Sequence, residues 1–69
     1  MQIESTVSGT VLQILVAPGE EIAIDQEVII IESMKMEIPI ASETAGTVDA
    51  ILVEAADVVE EGAVLISLK

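Results

Sequence analysis

The chain has 69 residues, 13 carboxylates against two lysines, a formal net charge of −11, and no cysteine, histidine or aromatic side chain. Without Cys or His there is no thiolate metal site, disulfide frame, or Ser-His or Cys-His nucleophile pair, and with so few cations a nucleic-acid partner is excluded as well. So small a chain has room for one domain, residues 1–69, with one core. The apolar runs, such as Val28 to Ile31, are far shorter than the ~20 residues a spanning helix needs, so no membrane insertion is expected. The start, Met1-Gln2-Ile3-Glu4, lacks the positive region and apolar stretch of a secretory signal, and a cytoplasmic location is the expectation.

In chain order, the β-branched and aliphatic bias predicts short strands with punctuation between them. The first half offers Ile3, then Gly9 to Val16, a break at Ala17-Pro18-Gly19, a piece at Ile22 to Ile24, and Val28 to Ile31. The second offers Met36 to Ala41, Gly46 to Val53, a break near Ala55-Ala56-Asp57, Val58-Val59, and Val64 to Leu68. No stretch keeps a 3.6-residue period with caps, so helix is not expected.

Sliding the sequence by 37 positions aligns the two halves without a gap: Gly9-Thr10-Val11 falls on Gly46-Thr47-Val48, and Ile14-Leu15-Val16 on Ile51-Leu52-Val53. Two triplets in one register point to a true repeat rather than to shared composition. Each half buries its apolar residues if two sheets face each other and exchange strands, giving an all-β, flattened two-sheet sandwich with pseudo-two-fold symmetry.

Between the halves lies Glu32-Ser33-Met34-Lys35-Met36-Glu37. Lys35 is the single internal amine, since the other lysine is the C-terminal Lys69. The repeat requires a reversal here, with Lys35 at the tip of a β-hairpin. Local propensity disagrees: Met34-Lys35 is not the Asn-Gly or Asp-Gly of a two-residue turn, and one long strand from Val28 to Ile38 would be the local choice. Taken singly, Lys35 reads as a solvated charge interrupting an aggregation-prone strand, Met34 and Met36 as flexible filler, and Glu27, Glu32 and Glu37 as gatekeepers. At the midpoint of a repeat they read together as a site for covalent loading. A carboxylate metal site is not supported, because no Asp-x-Asp-x-Asp-Gly spacing occurs.

The hexapeptide resembles the attachment motif of biotinyl domains, the biotin carboxyl carrier modules of biotin-dependent carboxylases (acetyl-CoA carboxylase-like enzymes), decarboxylases and transcarboxylases. The resemblance covers essentially the whole chain: Gly19-Glu20-Glu21-Ile22 matches the turn before the motif, Val28 to Glu32 the strand into it, and Gly46-Thr47-Val48 the glycine-led strand after it. It implies a barrel-sandwich hybrid in which biotin is joined to Lys35 by an amide bond and is carried as a swinging arm. Met34 and Met36 would flank the attachment point, and Glu32 and Gly46 would help a biotin protein ligase recognise its target. The further partners implied are biotin carboxylase and carboxyltransferase components, and the chain itself is a non-catalytic carrier with no catalytic residues, expected to be monomeric in isolation. The gap-free repeat leaves no room for the protruding thumb of some bacterial carriers, so a freely moving prosthetic group is expected. The family usually has glycine where this chain has Asp25 and Ala56. A lipoyl carrier of the same fold is one alternative, although that family typically has Asp before the lysine and Ala after it. An unmodified interaction module is the other.

A lysine amine is ordinarily protonated at neutral pH, and nothing in the chain could serve as its base. The sequence therefore describes a substrate of a ligase that brings an activated acyl donor and a base. Tethering a carried group on the flexible four-carbon stem keeps it at about millimolar effective concentration for its partners.

Overall fold

The computed structural model describes residues 1–69 and is entirely β, with eight strands. They are β1 (Gln2–Glu4), β2 (Gly9–Ile14), β3 (Glu21–Ile22), β4 (Glu27–Ser33), β5 (Met36–Ala41), β6 (Gly46–Ile51), β7 (Val58–Val59) and β8 (Val64–Leu68). The starts of β2, β3 and β4 recur 37 residues later as the starts of β6, β7 and β8. No loop is inserted into either half.

Two four-stranded sheets face each other, one in the order β1, β8, β6, β3 and the other β5, β4, β2, β7. Each takes its two central strands from one half and its edges from the other, so neither half can bury its apolar residues alone. A two-fold rotation exchanges them. Apart from Val16, every one of the 13 core side chains has its mate 37 positions away in the same core, as with Val11 and Val48 or Ile29 and Ile66.

The crossings between sheets obey the same rotation. The Gly19 amide donates to Val48 carbonyl at 2.8 Å and the Ala56 amide to Val11 carbonyl at 2.7 Å; the Asp25 and Gly62 amides donate to Ser42 and Ser5 carbonyls, each at 2.8 Å. All four of these turn residues have positive φ, between 70° and 89°. Buried Ser5 and Ser42 form mated turns, each hydroxyl donating to the carbonyl two residues on.

The strands foreseen through Val16 and Val53 end at Ile14 and Ile51, where the chain leaves one sheet for the other. Leu15 and Leu52 consequently stand exposed. Conversely β4 runs on to Ser33, two residues past its apolar run, because pairing with β5 continues to Ser33 opposite Met36. No helix is long and apolar enough to cross a membrane.

Candidate functional site

Six residue pairs join β4 to β5, from Glu27 opposite Ala41 to Ser33 opposite Met36, and leave only Met34 and Lys35 to reverse the chain. Both adopt the left-handed backbone, with φ of 53° and 64°. Two consecutive positive φ values are the signature of a type I′ turn, whose twist matches the strands it joins. Neither residue favours that conformation, which costs roughly 1–2 kcal/mol per non-glycine residue. The strands impose it, since fully buried Ile29 and Ile31 on β4 and Ile40 on β5 anchor the hairpin in the core.

The anchoring depends on Gly9. A Cβ there would lie 2.3 Å from the Glu32 carbonyl oxygen and 2.8 Å from Ile31 Cγ2, so only glycine lets β2 close against the end of β4. Nothing in the local sequence distinguishes Gly9 as a site-shaping residue. The available signal was its place as the repeat mate of Gly46.

Met34 is 88% exposed and Met36 59%, so both flank Lys35 in solvent instead of filling the core. Lys35 is exposed as well. Glu32 lies on the outer face of β4, paired across to Glu37 on β5 and to Thr10 on β2. Lys35, Met34, Met36 and Glu32 thus gather at one end of the molecule, which measures 31 × 19 × 18 Å.

Gly46 does not join them. It begins β6 in the other sheet, where an added Cβ would meet Leu68 Cδ1 at 3.5 Å, and the neighbouring Thr47 carbonyl accepts the Lys69 amide at 2.9 Å. β2 runs away from the hairpin and its following turn reaches Val48, which places Gly46 and the chain ends at the opposite pole.

The geometry fits covalent acylation: an exposed primary amine on a two-residue turn, projecting from paired strands. No group of His, Cys, Asp or Glu side chains is arranged to hold a metal ion.

The family described as "Biotin-requiring enzyme" matches residues 1–68. The biotin/lipoyl attachment protein of Bacillus subtilis is 40% identical over 68 residues, covering 99% of this chain and 93% of that protein. The mitochondrial propionyl-CoA carboxylase alpha chain of Homo sapiens is 36% identical over 67 residues, covering 97% of this chain but only 9% of its own. Among solved structures, urea carboxylase of Kluyveromyces lactis superposes with a TM-score of 0.93 at 29% identity, over 100% of this chain and 6% of the enzyme. Repeat, hairpin, exposed lysine and relatives agree, and the chain belongs to the biotin/lipoyl attachment family.

Proposed function

We propose that the protein is a biotin carboxyl carrier whose Lys35 is acylated by a biotin protein ligase. The observation that carries this reading is the left-handed Met34-Lys35 turn: the core holds an unfavourable backbone in place to present one amine in an otherwise acidic chain. In the acylation step the Lys35 ammonium loses one proton to the ligase's base, and the freed Nζ forms a bond to the acyl carbon. The bond from that carbon to the activating group breaks, the group leaves with the electron pair, and a second proton is lost from Nζ as the amide forms. Met34 and Met36 border the amine, and Glu32 offers the ligase a carboxylate one strand residue away from the turn.

When attached, biotin supplies a site that accepts and releases a carboxyl group. The protein contributes presentation: a rigid two-residue tip, a flexible lysine stem, and no side chain able to compete for the chemistry. Its partners on this reading are the ligase and then biotin carboxylase and carboxyltransferase components. Gly46, remote from Lys35, enters as a recognition residue only if the ligase reads the chain far beyond the hairpin.

The family embraces lipoyl carriers too, and the methionines on both sides of Lys35 favour biotin. Co-expression with biotin ligase and free biotin, followed by intact-mass measurement, separates the readings. The expected result is one biotinyl increment, lost completely in Lys35→Arg. A lipoyl increment at Lys35 would replace biotin by lipoate, and an unchanged mass would leave an unmodified module.

A further inference from the structure

The two-fold rotation that matches the cores also matches the outer faces of the two sheets, and these are not alike. On the Lys35 sheet an apolar strip runs diagonally over all four strands: Val58 on β7, level with Thr10, then Leu12 at the bulge of β2, half-buried Ile30 on β4, and Pro39 opposite it on β5. Val58 is 80% exposed and Leu12 40%. Their mates on the other sheet are Glu21, Asp49, Ser67 and Gln2, every one polar. Folding does not require the strip, because the same backbone positions are satisfied by polar side chains on the other side. Gln13, which stands opposite Ile30, and its mate Ala50 run the other way, so the strip passes from Ile30 to Val58 through Leu12, the bulge residue beside Gln13.

Next to the strip, nearer the hairpin, Glu32 and Glu37 stand directly opposite each other. Like charges in that position oppose strand pairing. The only cationic side chains in the chain are Lys35 and Lys69; the first is the amine the acylating active site takes up, and the second sits at the other pole. A cation that satisfies this pair must come from outside. A second copy of the chain is a poor occupant, since it brings the same two carboxylates and a net charge of −11.

We propose that this outer face docks the enzyme that acylates Lys35, through a surface that sets apolar side chains beside an Arg or Lys meeting Glu32 and Glu37. The inference rests on the acylation reading for the partner's identity. Reach singles out that partner: the lysine stem holds the bare amine within roughly 6 Å of the backbone. An active site that takes up this amine must close over the turn and against the rows beside it. A partner acting on the longer, loaded arm is under no such constraint.

The test is steady-state biotinylation of the whole chain by purified biotin ligase, with the carrier as varied substrate. The double variant Leu12→Asn, Val58→Gln should raise KM for the carrier about tenfold with kcat within about twofold, as expected for loss of docking contacts. Its mate-face counterpart, Asp49→Asn with Glu21→Gln, should leave both constants unchanged. Glu37→Gln should raise KM and flatten its dependence on salt. Thermal unfolding checks that each variant is folded, and Val58→Gln alone, at a position 80% exposed, serves if the double variant is not. An unchanged KM in folded Lys35-face variants, or an equal rise in the mate-face variant, overturns the docking face while leaving acylation standing. Failure of the unaltered protein to be biotinylated overturns both.

Discussion

The hairpin pole and the pole of the chain ends occupy equivalent places under one rotation, and they differ in what they must do. At the first pole the chain turns from Ser33 to Met36 and β2 presses on β4 at Glu32; at the second, Gly46 has ordinary room beside Leu68. The cores of the halves are interchangeable, whereas the surfaces and the close approaches are not. The duplicated interior supplies stability, and the departures from symmetry fall on the turn and the face that the proposed acylation uses.

The largest effect separating the poles is expected at the paired glycines. Gly9→Ala drives a methyl group into a backbone carbonyl and should cost about 2–3 kcal/mol in chemical denaturation, with loss of labelling at Lys35 from a loosened hairpin. Gly46→Ala meets only ordinary contact and should cost under about 1 kcal/mol. Equal costs would break the comparison. If Gly46→Ala keeps its stability yet is labelled poorly, recognition extends to the far pole.

The next effect separates the two sharp turns. Gly19 and Ala56 are mates, both left-handed, but only Ala56 bears a Cβ. Ala56→Gly should therefore gain about 1 kcal/mol in denaturant midpoint experiments. The other mated pair, Asp25 and Gly62, carries less strain because aspartate tolerates this backbone, so Asp25→Gly should gain under about 0.5 kcal/mol. A larger gain at Asp25 than at Ala56 would reverse that ranking.

The smallest effect is electrostatic and confined to the Lys35 face. Removing one of two facing carboxylates by Glu37→Gln should stabilise the fold by about 0.2–0.5 kcal/mol at low salt and by less at high salt. The same substitution is expected to weaken ligase docking. Opposite signs for stability and docking are what a surface shaped for a partner should give.

The strand pattern read from the sequence places the starts of β2, β5, β6, β7 and β8 where the structure has them, and the structure begins β1, β3 and β4 one residue earlier, at Gln2, Glu21 and Glu27. Strand ends were less legible, because the chain leaves a sheet where the opposite sheet can receive it, not where its apolar residues run out. The hairpin was legible only through the repeat. Local preference favours an extended Met34-Lys35, and the packing of Ile29, Ile31 and Ile40 overrides it.

Composition and pattern by themselves determined an all-β sandwich and singled out Lys35 as the proposed loading point. They could not tell Gly9 from Gly46, since both open the same Gly-Thr-Val triplet. Nor could they show that Val58, Leu12, Ile30 and Pro39, scattered over about two thirds of the chain, share one face. Tertiary structure decided both, because each depends on which strand lies alongside: close approach and shared surface are relations between strands, and adjacency in the chain does not encode them.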